Sequence, residues 1–433
     1  MSYRTAYTIE RPSTSPDILY FNVDVINNTT ADETAGALVD PIIRFNVQRD
    51  TALLDDISQY ELSIVRFQLD GKDLPLFIPV IKIGPVLNPA QNVNLTEYGI
   101  NIGLTAVYNI PAVGIRTFVG SSEQDVIYIP ETQNTTLAPV PLATSTQTAQ
   151  DLSTRYYWVY TFSWWVQLIN NTFNTAYADL QAQFNAWWVA QGGVAPAPAL
   201  TTKAPYMEYD ANSGKFSLYG DAFGYGTTDR TSLGGSPDER FTLYFNSNLY
   251  NMFSGFENIF VGLPNNRTNS ITFKNKLQQN VVTVTKALPF TPVGTTYYYV
   301  NEQDYISTST EWSPISAIVF ASTLMPSVNE QTTEPIRIGQ NNNATLTTPA
   351  SFAPIITDIV LALDSPGATY RDNILYTPTA EYRITAFENN HTDLKNIDIS
   401  VFWRCKYNNA LFPVSLPNLG TCSLKILFRR KRF

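Results

Sequence analysis

Histidine and charge are both scarce in this chain. One histidine, His391, serves 433 residues, and Asp, Glu, Lys and Arg together make up 15% of them, against about 25% in an ordinary soluble domain. A single histidine excludes the two-histidine zinc helix and any multi-histidine metal cage. The polar groups come instead from Asn, Thr, Ser and Tyr, whose neutral side chains are desolvated at less cost than charges. Because such side chains suit burial against partners, the composition predicts a structural protein built to assemble.

Cysteines and long apolar runs are also rare. Cys405 and Cys422 are the two cysteines, and both lie in segments with a strand pattern. A cross-strand disulfide remains open, but nothing else in the sequence suggests secretion, so two reduced, packed thiols are the favoured prediction. No stretch approaches 18 apolar residues and no apolar leader opens the chain, so we expect neither a membrane span nor a signal peptide.

Basic residues are concentrated at one end of an acidic chain. The net charge is −9, which is the wrong sign for a protein that coats nucleic acid by neutralising its charge. The exception is a C-terminal cluster of five cations: Lys425, Arg429, Arg430, Lys431 and Arg432. This basic tail could be a solubilising end, a contact with an acidic partner or a genome, or a nuclear-import signal.

Sequence motifs for catalysis are missing. The phosphate-loop pattern, the Cys-x-x-Cys pair and the Gly-x-Ser-x-Gly elbow do not occur, and Gly224-Tyr225-Gly226 lacks the third glycine of a dinucleotide fingerprint. His391 stands in an Asn-rich turn and is expected to be an exposed loop residue. We therefore predict no enzyme, no catalytic residue, no metal and no cofactor.

Four acids in one Gly-rich region keep a weaker alternative open. Asp221, Asp229, Asp238 and Glu239 could in principle supply a glycosidase pair or bind calcium. No calcium-loop spacing is present, and acids near Gly and Thr in a loop are usually solvated turn formers. We expect the same of these four residues.

Strand patterns dominate the chain. Residues 18–26 and 60–71 alternate apolar and polar side chains with a period of two, which is typical of half-buried strands, and the second run ends in the turn signal Asp70-Gly71. Similar runs recur to the C-terminus, separated by long, proline-punctuated connections. This arrangement predicts a mainly β fold, a jelly-roll or related antiparallel β-sandwich with long loop insertions.

One segment near 163–191 has a helical period instead. Its apolar residues recur every three or four positions from Ile169 to Trp188, which places them on one stripe of an amphipathic helix. Ser163 can cap its start, and Gly192-Gly193 can end it. Four tryptophans flank the helix: Trp164, Trp165, Trp187 and Trp188. They either pack on the sheet beneath or form a subunit contact, since tryptophan is favoured at interfaces.

Several long strings resemble a known family. They are DPIIRFNVQRDTALLDDISQYELSIVRFQLDGKDLPLFIPVI (40–81), FSLYGDAFGYG (216–226), LYFNSNLYNMFSGF (243–256), SPISAIVFASTLMPSVNEQTTEP (313–335), ILYTPTAEYRITAF (374–387) and LKNIDISVFWRCKYNNALFPVSLPNLGTCSLKILFRRK (394–431). In scattered pieces covering about three quarters of the chain, they resemble the penton or minor capsid proteins of small icosahedral jelly-roll viruses, such as polinton-like viruses and virophages.

This resemblance implies a capsid protein of the virion, assembled inside the host cell. It implies a homopentamer at each fivefold vertex, in contact with the major capsid protein and, through the C-terminal tail, with other minor capsid proteins or the genome. A major coat protein and a carbohydrate- or receptor-binding β-protein remain alternatives, and a glycoside hydrolase is a third.

The pattern of segments suggests a provisional division of the chain. We expect an extended N-terminal arm over 1–17, the first part of the jelly roll over 18–141, and a linker with the helical insertion over 142–205. A β-rich insertion or second β-domain is expected over 206–290. The rest of the jelly roll and the basic tail would occupy 291–433.

Overall fold

A computed structural model describes residues 15–27, 42–82, 94–131, 150, 152, 155–225, 238–273, 281–284, 296–306, 312–323, 325, 330–332, 351–353, 355–361, 373–377, 385–387 and 391–431. The residues predicted as arm before position 15, most of the predicted linker, Asp229 and Arg432 lie outside this part. The chain divides into two units. The jelly-roll unit comprises Met1–Leu74, Pro314–Leu363 and Thr369–Phe433, and the inserted unit comprises Pro75–Ser313 and Asp364–Ala368.

The described elements are mostly strands, as predicted. In chain order they are β1 Ile18–Ile26, β2 Arg44–Gln48, β3 Tyr60–Leu69, β4 Leu95–Ile110, β5 Gly114–Ile127, α1 Phe162–Ala190, β6 Tyr206–Asp210, β7 Lys215–Asp221, α2 Ala222–Tyr225, β8 Asp238–Phe245, α3 Ser247–Met252, β9 Asn258–Phe260, β10 Asn269–Ile271, β11 Val281–Val284, β12 Thr296–Glu302, β13 Ile315–Ala321, β14 Glu330–Thr332, β15 Ser351–Ala353, β16 Ile355–Ile359, β17 Ile374–Tyr376, β18 Thr385–Ala386, β19 Asn396–Cys405, β20 Leu411–Pro413 and β21 Thr421–Arg430.

Two large antiparallel sheets build the jelly-roll unit, which also contains the two-stranded sheet of β14 and β15. One large sheet has the order β1-β21-β3-β17, with β18 also on β3, and the other has the order β16-β13-β19-β2, with β20 on β19. Taking β1, β2, β3, β13, β16, β17, β19 and β21 as the eight strands in chain order, this pairing of first, last, third and sixth strands in one sheet is that of a jelly roll. The rings of Phe67 and Phe320, one from each sheet, meet edge to face with centroids 4.8 Å apart. The predicted fold class is therefore confirmed.

The third and fourth jelly-roll strands are connected by the inserted unit. It begins at Pro75, after β3, and ends at Ser313, before β13. The finer division expected at 141, 205 and 290 stays a prediction. The alternation of apolar and polar residues is the same in the strands of both units. This pattern therefore does not reveal where the core of one unit ends and that of the other begins.

The inserted unit contains two further sheets and the long helix. The sheets have the orders β5-β4-β8-β10-β9 and β11-β12-β7-β6, and α1 packs on β4, β5 and β6. Strands β4 and β5 form one long antiparallel hairpin. The alternate residues of β4 are buried for most of its length, which makes long pairing favourable.

The predicted amphipathic helix is confirmed, with a shifted start. Thr161, not Ser163, is the N-cap, and its hydroxyl accepts a hydrogen bond from the Trp164 amide. Ser163 lies inside the first turn because Thr161 has the extended backbone that a cap needs. The helix ends where predicted, with Gly192 in the left-handed region at φ +86°.

Candidate contact surfaces

The two acids whose side chains the structure describes in the Gly-rich region are buried, which corrects the expectation of solvated loop residues. Glu239 accepts hydrogen bonds from the amides of Thr201 and Thr202 and from the Tyr108 hydroxyl. Asp221 accepts one from the amide of Lys203 at 2.8 Å. Both acids lie on strands, β8 and β7, and their carboxylates hold the backbone of residues 201–203 in place. Hydrogen bonds of this kind, from backbone amides to buried carboxylates, stabilise the fold.

Metal-binding clusters and membrane-spanning helices are both absent from the part of the chain that the structure describes. No group of three or more His, Cys, Asp or Glu side chains there could hold a metal ion. Within the same part of the chain, no helix is long and apolar enough to cross a membrane.

The predicted tryptophan contacts divide into two kinds. Trp165 and Trp188 are buried. Trp165 packs edge to face on Phe77 and Tyr98, with centroids 4.9 and 5.4 Å away. Trp164 and Trp187 are half-buried, so these two retain surface that a partner could cover.

The predicted basic tail is not a free end in its described part. Lys425, Arg429 and Arg430 belong to β21, which lies between β1 and β3 in its sheet. Arg429 contacts Glu61 at 2.6 Å, and Arg430 contacts Asp17 at 3.2 Å. The Lys425 ammonium lies 4.8 Å from the centre of the Tyr20 ring.

Lys431 continues the same pattern just past the end of β21. Its ammonium donates to the Ser58 carbonyl. The four described cations of the basic tail therefore all contact residues of the jelly-roll unit itself.

The cysteines and the histidine have the predicted environments. Cys405 and Cys422 are free and buried on strands of different sheets, and burial raises the pKa of both thiols. His391 is exposed, and its Nδ1 lies 3.0 Å from the Asp56 carboxylate and 3.1 Å from the Ser58 hydroxyl.

Strand β1 is an exposed edge of the jelly-roll unit. It pairs with β21 on one side, and no strand covers its other side among the residues that the structure describes. Ile18 and Ile26 are 52% and 63% exposed, and the alternate side chains Leu19 to Val25 are only half-buried. An edge strand with Ile18 and Ile26 exposed offers unpaired backbone groups and apolar side chains together, which suits docking to another chain.

A second apolar surface lies on the β9–β10 hairpin of the inserted unit. Ile259 and Phe260 are 60% and 73% exposed, and Val261 and Leu263 follow in the connecting loop. This hairpin tip is not among the contact surfaces predicted from the sequence. The signal available was the run IFVGLP at 259–264, where polar turn residues would be expected.

Comparison with known proteins supports the fold. A chain of the Sputnik virophage solved by cryo-EM is 22% identical with a TM-score of 0.69, and the match covers 96% of this chain and 99% of that one. The mavirus penton protein is 17% identical with a TM-score of 0.54, over 96% of this chain and 100% of that one. Uncharacterised protein V18 of the Sputnik virophage is 27% identical over 171 residues, which are 40% of this chain and 89% of that protein.

A family model extends the comparison to nearly the whole sequence. The model for the Sputnik minor capsid protein V18/19 matches residues 19–430, from the second residue of β1 to the last residue of β21. The match thus includes both units, in agreement with the family resemblance of the sequence strings. The chain belongs to the Sputnik minor capsid protein V18/19 family and is a structural protein of a viral capsid, located in the virion.

Proposed function

We propose that five copies of this chain form the capsomer that closes a fivefold vertex, in contact with the major capsid protein around it. The observation that carries the proposal is the exposed apolar edge at β1. A cyclic ring uses two different patches of each subunit, and it closes when each subunit is rotated by one fifth of a turn. Edge strand β1 supplies one of these two patches on the jelly-roll unit.

Strand β1 can contact a neighbour in two ways. Its unpaired backbone groups can extend a neighbour's sheet, and Ile18 and Ile26 can bury apolar area against it. The terminal residues before β1 add a polar anchor, because Pro16 and Asp17 are fixed to the same unit by hydrogen bonds from Tyr60 and Arg430. The strand is therefore held in position before assembly, which lowers the entropy cost of binding.

We also propose that the chain has no enzymatic activity. The supporting observation is that Asp221 and Glu239, the described acids of the one candidate cluster, are buried in hydrogen bonds with backbone amides. Contact with the genome through the basic residues stays a prediction. It gains no support from Lys425 or Arg429 to Lys431, since each has a partner inside its own unit.

Mass photometry of the purified chain, with negative-stain images of the same sample, tests the pentamer. Five 48.4-kDa chains should give one species with a mass of about 240 kDa. The double variant Ile18→Lys/Ile26→Lys places charges on the β1 edge and should shift the sample to monomers. The control is Val194→Lys, at a residue that is 84% exposed and lies in neither apolar surface, and it should leave the ring intact.

The outcomes separate the two parts of the proposal. A wild-type chain that forms trimers, or stays monomeric at every concentration, contradicts the pentamer. A pentamer that survives the two lysines rejects β1 as its contact.

A further inference from the structure

A groove in the inserted unit shares no residue with strand β1 or with the β9–β10 hairpin. It has a volume of about 610 Å³ and lies between the first half of α1 and the β6–β7 hairpin. Its walls include Gln167, Asn171, Glu208, Tyr209 and Tyr219. Small-molecule sites have volumes of about 300–1,000 Å³ and a few well-placed polar groups, so the groove is of the right size and composition for a ligand.

The helical wall presents unengaged amides. Ser163, Gln167 and Asn171 are four residues apart, so they form one stripe along α1. Gln167 and Asn171 are exposed, and no described residue hydrogen-bonds to either side-chain amide. Each amide can both donate and accept, which suits a ligand that carries hydroxyl groups.

The strand wall supplies tyrosine side chains and two carboxylates, Glu208 and Asp210. The Tyr219 ring stacks on Tyr206 with centroids 4.6 Å apart and planes 5° from parallel, so its orientation is fixed. Burial, together with the charge of Glu208 and its hydrogen bond to the hydroxyl, raises the pKa of Tyr219 to about 12. The phenol therefore stays protonated and neutral at physiological pH.

The width of the groove is fixed by a residue at its base. Asn170 accepts a hydrogen bond from the Met207 amide at 2.7 Å and donates one to the Met207 carbonyl at 2.9 Å. These two bonds tie α1 to the outer edge of β6. They also occupy the backbone groups through which a peptide strand would add to β6.

We propose that this groove binds a neutral oligosaccharide. The amides, hydroxyls and two carboxylates of the lining match the hydroxyl groups of a sugar. Lys, Arg and His are all absent from the described lining, so an anionic ligand would meet no counter-charge. This recognition role goes beyond shell assembly and does not depend on the oligomeric state.

Binding of the intact chain to a printed array of neutral glucans, mannans, galactans and chitooligosaccharides tests the proposal. The soluble oligosaccharide with the strongest response is then titrated by calorimetry. The variant Gln167→Ala/Asn171→Ala should lower its affinity by about tenfold or more, since two ligand hydrogen bonds are lost. Both substitutions favour the helix, so folding is retained and is checked by circular dichroism.

A matched variant controls for unspecific loss. Asn174→Ala removes an amide from the same helix, outside the groove lining, and should leave the affinity unchanged. Affinity should also vary little with salt, because the ligand is uncharged. No binding to any neutral glycan, preferential binding of sulfated glycans or peptides, or equal loss in Asn174→Ala would each overturn the proposal.

Discussion

Each of the two units is stabilised by its own kind of internal contact. In the jelly-roll unit, strands from opposite ends of the sequence close the sheet, because β21 pairs with both β1 and β3. Its ion pair between Arg429 and Glu61 joins residues 368 positions apart. The inserted unit is nearly continuous in sequence and is centred on packed rings. These rings are Phe77, Tyr98, Trp165, Phe216, Phe253 and Trp312.

This difference shows what each unit depends on. The jelly-roll unit needs both ends of the chain, so its contacts are mostly long-range and slow to form. The inserted unit has its elements within one segment, and aromatic rings provide much of its buried area. Damage to one unit should therefore leave the other folded.

Removing β21 should have the largest effect. A chain ending at Gly420 loses the strand between β1 and β3, so the jelly-roll unit cannot close its sheet. Hydrogen exchange should show loss of protection in β3 and β19 and normal protection in β4 and α1. A chain ending at Arg430 is the control and should protect both units. Loss of protection in both units after the first truncation would show that they are not independent.

Trp165→Ala should be the most damaging single substitution tested in the inserted unit. The side chain is fully buried between Phe77 and Tyr98, and its removal should cost about 3–5 kcal/mol of unfolding free energy. Trp164→Ala, at the half-buried neighbour, should cost less. Urea unfolding measures both values, and hydrogen exchange should locate the Trp165→Ala loss in the inserted unit. Loss of hydrogen-exchange protection in β19 of the jelly-roll unit instead would show that the two units are not independent.

Glu239→Gln should have a smaller effect in the same unit. The amide leaves one of the hydrogen bonds to Thr201, Thr202 or Tyr108 unmade, at a cost of about 2 kcal/mol. Glu123→Gln changes an exposed acid on β5 and should be nearly neutral. Equal stability of the two variants in urea would mean that the carboxylate does not hold residues 201–203.

Asp398→Asn should have the smallest effect, and it should depend on pH. Burial would raise the pKa of Asp398, but hydrogen bonds from Arg44 and Thr323 outweigh it and hold the pKa below its usual value. Because its pKa is lowered in the folded state, the Asp398 carboxylate stabilises the folded protein at pH values above the unfolded pKa of about 4. This stabilisation is lost as pH falls through the folded-state pKa. The substitution should cost about 1 kcal/mol at neutral pH.

The acid limb of the unfolding curve provides the check. The difference in unfolding free energy between wild type and Asp398→Asn should shrink as pH falls below about 4. A difference that stays constant down to about pH 2 would show that this carboxylate does not carry the effect.

Local sequence patterns predicted the elements well. The alternation in residues 18–26 matches β1, and the three-and-four spacing matches α1 to within one residue at each end. Both patterns are local, because each is visible within a single strand or helix. They arise from side chains that face a core, whichever core that is, so they predict elements without saying which unit holds them.

Long-range features were not predictable in the same way. The basic residues of β21 resembled a free tail because Glu61 and Asp17 are far away in sequence. Asp221 and Glu239 resembled loop acids because their amide partners lie in a separate segment at 201–203. The unit boundaries coincide with Pro75 and Pro314, but proline is frequent in this chain, so these two carried no distinct signal.

Cryo-EM of particles that contain this chain tests the central claim most directly. The account predicts five copies around each fivefold vertex, with β1 of each jelly-roll unit against its neighbour. The same chain found at the hexavalent positions of the shell, or a vertex ring in which β1 faces solvent, would contradict it.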